Sequence, residues 1–183
     1  MYKYCATEES VRRQRQLEQC LLKLMLTENY HQITISQICE LAGISRKSFY
    51  RYFTSKEGCL YALLDHAVFD GASYYLPDHR SAQATLTIYQ HFFQYWKEQD
   101  LLLVALGRNS MHLLLVERVI HYILQEEDEF RIFFRDALNE AHERSLFYIG
   151  GVMTVVLDWH QSGYQKPIMQ MAEILSDLID KQE

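Results

Sequence analysis

The stretch ITISQICELAGISRKSFYRYFTSKEGCL, Ile33 to Leu60, sets two apolar-periodic segments around one glycine and follows them with cations and aromatics. Thr34 and Gln37 have the spacing of a capping box: the hydroxyl takes the amide three residues on and the Gln side chain reaches back. A helix is therefore predicted to start at Thr34, turn Ile35, Ile38 and Leu41 inward, and run to about Ala42. Gly43 then supplies the positive φ of a helix stop and tight turn. Ser45 is placed to cap the next helix, Phe49 and Phe53 face its core side, and Arg46, Lys47, Ser48 and Tyr50 are left outside. Two helices joined by a short Gly-containing turn make a helix-turn-helix, whose second member can enter the major groove with its first residues at the base edges. A plain helical hairpin with a solvated basic face has the same pattern.

Working outward, Leu17, Cys20, Leu21, Leu24 and Met25 mark an amphipathic helix from Val11 to about Thr27, with Arg12, Arg13 and Arg15 grouped at its start. These arginines suit either a nucleic-acid backbone or a solvated helix start. Ser55 caps a fourth helix that continues through Leu60, Leu63, Leu64 and Val68 towards Tyr75. Beyond the turn near Leu76 to Ser81, helices are predicted at about Ala82 to Glu98, Leu101 to Leu106, Met111 to Gln125, Glu129 to Gln161 and Pro167 to Lys181. Pro167 suits the first helical position, and Ser162-Gly163 the stop before it. With only two prolines and seven glycines in 183 residues, the chain reads as all-α. The domain organisation expected is 1–54 as a three-helix DNA-binding domain, 55–80 as a connecting helix and turn, and 81–183 as a second helical bundle.

A net charge of −6 argues against a nucleic-acid partner until its distribution is considered. Residues 1–58 hold nine Lys or Arg against six Asp or Glu, whereas the remaining 125 hold nine against eighteen. One end is therefore suited to a polyanion and the other is not. No apolar run is long enough to span a bilayer and the first residues lack the apolar core of a signal peptide, so a cytoplasmic protein without membrane partner is expected. Cys5, Cys20, Cys39 and Cys59 have neither the close pairing of a zinc site nor a reason for disulfides, and are read as packed thiols. Glu126, Glu127, Asp128 and Glu129 point around a helix start instead of converging on a cation, so no metal and no cofactor is expected.

The order of residues in TISQICELAGISRKSFYRYFTSKEGCL closely resembles the DNA-binding signature of the TetR family of bacterial transcriptional regulators. The shared features are the threonine-capped second helix, the Ala-Gly turn, the aromatic-rich recognition helix and Lys-Glu at the start of the fourth helix. The resemblance covers about Val11 to Leu64, with a weaker echo in FYIGGVMTVVLDWHQSG, Phe147 to Gly163. Phe49 stands where leucine is commoner in the family and Tyr52 where histidine is frequent. The resemblance implies an N-terminal DNA-binding domain on a larger domain that dimerises and receives a small-molecule effector. It makes Thr34 a cap that often reaches phosphate, Ser45, Arg46, Lys47 and Ser48 the base-reading edge, Tyr50 a phosphate ligand and Lys56 a further backbone contact. Tyr52 is a further candidate for the DNA backbone, since its hydroxyl is of the kind that binds phosphate. Double-stranded DNA with a palindromic operator is the implied partner. Repression is the commoner mode and activation the alternative.

The second part of the chain carries aromatic stripes at helical spacing, which describe core more readily than a ligand box. Interleaved with them are His91, Arg108, His112, His121 and His142, polar groups of the kind that orient a ligand in an apolar cavity. Phe92, Trp96, Arg108, His112, Tyr122 and Phe134 are the candidate ligand residues, for a neutral or cationic aromatic compound. Gly150 and Gly151 each cost roughly 1 kcal/mol within a helix, so a close approach is expected to compensate. Ile149, Gly150, Gly151, Val152, Met153 and Val156 are the candidate homodimer strip. An enzyme would need a nucleophile with its base, a metal cluster or a phosphate loop, and no HExxH, GxSxG or Gly-rich loop occurs. A non-specific architectural protein would have no use for Arg46 and Lys47 at base edges.

Overall fold

The computed structural model describes residues 2–3, 5, 7–74, 82–125 and 142–179, with the side chains of 72–74, 82–85, 123–125 and 142 excepted. Among these residues the secondary structure is nine α-helices and one isolated bridge. The helices are α1 (Glu8–Met25), α2 (Ile35–Ala42), α3 (Arg46–Tyr52), α4 (Lys56–Tyr74), α5 (Ala82–Glu98), α6 (Asp100–Arg108), α7 (His112–Gln125), α8 (His142–Gln161) and α9 (Ile168–Ile179). The all-α reading stands, and the predicted element order with it. The predicted residues before His142 in the eighth helix, and Glu126 to Glu129, lie outside the described residues.

The chain divides into two compact units, and α4 runs from one into the other. The first unit comprises residues 1–67 together with 101–112, so most of α6 joins the helices that precede it by more than thirty residues. Its buried side chains include Leu17, Leu21 and Met25 of α1, Ile38 of α2, Phe49 of α3, Leu60 and Leu64 of α4 and Leu103 of α6. The apolar spacing read from the sequence puts nearly all of these inward. Leu41 is the exception: it is exposed, and Ile38, Cys39 and Ala42 form the buried stripe of α2. In an eight-residue helix, packing against α1 on one side and α3 on the other decides the stripe, and Leu41 falls beyond its edge. Inside this unit the carboxylate of Glu18 is fully buried and meets Nδ1 of His66 at 2.9 and 3.0 Å, so α1 and α4 are tied by a polar pair as well as by apolar contact.

In the second unit, residues 68–100 and 113–183, α5 lies along α9 and touches α8. The Phe93 ring is 5.3 Å from that of Trp159, which is 4.8 Å from the Tyr164 ring in the α8–α9 turn. The Trp159 indole donates to the Lys166 carbonyl at 2.8 Å and the Tyr164 hydroxyl to Asp100 at 2.7 Å, so the turn closes on part-buried polar contacts. Gly163 ends α8 with φ of 70°, as the Ser-Gly stop predicted. Pro167 stands one place earlier than expected: its carbonyl accepts from the Met171 amide at 3.1 Å, and the helix begins at Ile168. Gly71 on α4 had no reading in the sequence, yet a Cβ there would lie 2.8 Å from the Tyr95 ring, so only hydrogen fits.

Candidate nucleic-acid interface

The capping box forms as its residues dictate. Thr34 Oγ1 accepts from the Gln37 amide at 3.2 Å, and Gln37 Oε1 accepts from the Thr34 amide at 2.8 Å. Gln37 Nε2 goes on to donate to Glu28 at 2.8 Å, which fixes the cap to the start of the α1–α2 connection. α2 stops at Gly43, whose φ of 65° costs an L side chain and costs glycine nothing, and Ile44 N closes the turn on the Cys39 carbonyl at 3.0 Å. Ser45 Oγ then accepts from the Ser48 amide at 3.2 Å and starts α3. Phe49 and Phe53 are buried with ring centroids 5.2 Å apart, which fixes the rotation of α3 about its axis. That rotation leaves Ser45, Arg46, Lys47 and Tyr50 exposed and Ser48 half-buried at the amino end. Tyr52 is half-buried, its ring 6.4 Å from that of Phe53.

What results is a short exposed edge of hydroxyls and two cations on a helix whose inner face is locked. An Arg guanidinium or Lys ammonium there has the reach and donors to read guanine O6 and N7, and the hydroxyls suit phosphate. Arg12 and Arg13 are drawn to Glu9 at 2.8 and 3.0 Å; the hydrogen bond from Arg12, then that from Arg13, holds the Glu9 carboxyl below its ordinary pKa.

Lys56 faces inward to the chain's own backbone. Its ammonium donates to the carbonyls of Tyr30 at 2.6 Å and Ile33 at 2.7 Å, approaches that of His31 at 3.5 Å, and sits 4.3 Å from the Tyr30 ring centre. Burial pushes its pKa below the ordinary value, with Glu57 pulling the other way. The start of α4 is thereby bound to the residue that precedes the α2 cap. Three further supports went unread in the sequence. Gln16 of α1 donates to the Ala42 carbonyl at 3.0 Å, satisfying an orphan group at the end of α2. Lys3 N donates to the Tyr52 carbonyl at 2.9 Å within the Tyr2–Phe53 bridge, so residues 2–3 run along the end of α3. Gln14, buried on α1, donates to the Lys3 carbonyl at 3.2 Å and holds that segment down. A buried glutamine on an apolar face is the signal that marks Gln14; nothing local marks Gln16 or the pairing of Lys3.

The remaining candidates are spread more widely. Phe92 and Trp96 are buried in the second unit with rings 6.4 Å apart, and the Tyr122 ring is 6.2 Å from that of Phe69. Arg108 is exposed at the end of α6 in the first unit, and His112 turns Nε2 to the Leu103 carbonyl at 3.3 Å. Phe134 lies outside the described residues. Ile149, Val152, Met153 and Val156 are buried within the subunit, so they are core of the second unit. The opposite side of α8 is exposed at Phe147, Gly151, Thr154 and Asp158, with Gly150 beside them half-buried. A Cβ at Gly150 or Gly151 would meet nothing within 4 Å, so packing inside the subunit does not require glycine at either. Among the described residues no three His, Cys, Asp or Glu side chains are grouped to hold a metal, and no helix is long and apolar enough to cross a membrane.

Residues 21–63 match the family of bacterial regulatory proteins, tetR family. Among curated proteins none matches the sequence. The fold is shared with solved structures of low identity. A protein described as a TetR-family transcriptional regulator from Syntrophomonas wolfei is 16% identical with a TM-score of 0.67, over 94% of this chain and 97% of that one. The fatty acid degradation regulator FadR from Bacillus halodurans is 14% identical with a TM-score of 0.64, over 98% of each chain. The dihydroxyacetone kinase operon activator DhaS is 17% identical with a TM-score of 0.58, over 94% and 96%.

Proposed function

We propose that this chain, whose residues 21–63 match the tetR family of bacterial regulatory proteins, is a homodimeric transcriptional repressor of that family, released from a palindromic operator by a small-molecule effector. The observation that carries the reading is the exposed start of α3, where Ser45, Arg46, Lys47 and Ser48 stand on a helix locked by Phe49 and Phe53. Thr34, Tyr50 and Tyr52 flank that edge as phosphate contacts, and Lys56 supports it from behind through the Tyr30 and Ile33 carbonyls. Two copies are needed because one recognition helix reads only a half-site, and a dimer reads two about 34–36 Å apart. The glycines on the exposed side of α8 favour that face for the partner helix, since an unneeded glycine costs roughly 1 kcal/mol within a helix. The effector expected is neutral or cationic and aromatic, because the chain after residue 58 holds eighteen acids against nine cations.

The test is selection of genomic fragments by the purified protein, followed by footprinting and a reporter fused to the selected site. The expected result is one palindromic sequence protected over two half-sites, with reporter output rising when the protein is deleted. Retention of all fragments alike would replace a specific regulator with an architectural protein, and output falling on deletion would make it an activator.

A further inference from the structure

The corner between α6 and α7 carries a side chain remote in sequence from the base-reading edge that grips the segment leading to it. α6 ends in a turn closed by Asn109 N to the Leu106 carbonyl at 3.2 Å, Ser110 N to Gly107 at 3.1 Å and Met111 N to Leu106 at 2.9 Å, with Ser110 at φ of 56°. His112 folds back over this turn: its Nε2 meets the Leu103 carbonyl, and a Cβ on Gly107 would lie 3.2 Å from its ring. Asn109, so presented, uses its whole amide. Nδ2 donates to the Ala105 carbonyl at 2.7 Å and to the Met25 carbonyl, at the end of α1, at 3.2 Å, while Oδ1 accepts from the Tyr30 amide at 2.6 Å. All of these residues belong to the first unit.

Tyr30 is thus held at both backbone groups, its amide by Asn109 and its carbonyl by Lys56. The next carbonyl bound by Lys56, that of Ile33, adjoins the Thr34 cap from which α2 starts. We infer that Asn109 is a positioning residue for DNA reading: through Tyr30 it ties the seat of α2 and α3 to the α6–α7 corner, so that the state of that corner is registered as operator affinity. The inference rests on the DNA-binding reading above. Hydrogen bonds to base edges weaken steeply with misalignment, so a small displacement of α3 costs sequence-specific contacts, whereas phosphate attraction tolerates it.

The experiment compares wild type, Asn109→Ala, His112→Ala and the double variant on the operator that wild type selects and on an unrelated duplex, across salt concentrations. Asn109→Ala is expected to lower operator affinity about tenfold, the scale of one impaired base contact, and to leave the unrelated duplex and the salt slope unchanged. His112→Ala is expected to lower operator affinity less, and to add nothing in the Asn109→Ala background, because its effect passes through Asn109. Hydrogen exchange at the Tyr30 amide is expected to quicken in each variant. Asn109→Asp, which keeps the acceptor but sets a carboxylate against two carbonyls, gives the same two readouts if the alanine variant does not fold. Operator affinity within about twofold of wild type in a folded Asn109 variant, or independent effects of the two substitutions, overturns the inference. A wild type that selects no sequence removes the functional reading itself, before any variant is compared.

Discussion

Replacing Lys56 by methionine keeps the length of the side chain and removes its ammonium. Two hydrogen bonds, at 2.6 and 2.7 Å, are lost from carbonyls of Tyr30 and Ile33, residues that are only 4% and 2% exposed. Hydrogen bonds to a charged group contribute about 1.5–3 kcal/mol each, so the gross loss is about 3–6 kcal/mol. Against this, release of the lysine chain returns up to about 2 kcal/mol, and its partial desolvation is relieved. A net loss of about 2 kcal/mol remains, which for a chain of this size lowers the melting temperature by about 4–8 °C. Because the ammonium is engaged by carbonyls, its removal should not change the number of phosphates neutralised, and the slope of log affinity against log salt should stay that of wild type. Lys47→Met is the control: exposed at the start of α3, it should leave the melting temperature alone and lower operator affinity with a change in base preference. Calorimetry and fluorescence anisotropy on the selected operator provide the two measurements. If Lys56→Met melts with wild type and flattens the slope by about 0.9, as loss of one phosphate contact would, the inward role assigned to Lys56 is wrong.

Other substitutions probe different links. Arg46→Ala should cost about 1–3 kcal/mol of operator binding and relax preference at particular base pairs, whereas Tyr50→Phe should weaken all sequences alike; an unchanged site profile for Arg46→Ala rejects base reading by that residue. Gly43→Ala meets no steric clash but forces an L residue to φ of 65°, so it should destabilise by about 1–2 kcal/mol in urea unfolding, and equal stability refutes the strain. Of the four thiols, only half-buried Cys5 should react with a thiol reagent in the native state, Cys20, Cys39 and Cys59 following on denaturation. Burial, and then Glu18, pushes the Cys5 pKa up, so the thiolate is scarce near neutrality and the rate should still be climbing above pH 9; a plateau below that rejects the shift.

The recognition segment was legible because its determinants are local. Thr34 and Gln37, Gly43, and Ser45 act on groups within four residues of themselves, and Phe49 and Phe53 repeat at the period of the helix they bury. What escaped is long-range. Lys56 stands at a helix start and reads as a phosphate ligand; only the fold brings the Tyr30 and Ile33 carbonyls beneath it. Asn109 carries no local signal in the sequence, since its partners Met25 and Tyr30 are about eighty positions away. In α8 the strip Ile149, Val152, Met153 and Val156 has the same period whether it packs inside the subunit or between subunits, so periodicity does not separate the two, and burial sets these residues apart from the exposed glycine side. Phe92 and Trp96 keep their place in an aromatic core, but Arg108 and His112 fall in the other unit, a division that no composition change announces.

The run of residues 2–3 along the end of α3 has a practical corollary for handling the protein. Any affinity tag or fluorescent fusion joined ahead of Tyr2 extends a segment that pairs with the Tyr52–Phe53 end of α3. A histidine-rich leader there adds or withdraws positive charge with buffer pH on the helix proposed to read DNA, and a bulky fusion loads the pairing of residues 2–3 that holds the end of that helix. Affinities measured on such fusions report the appendage together with the protein. Attachment after α9 avoids the segment of residues 2–3 that pairs with the end of α3.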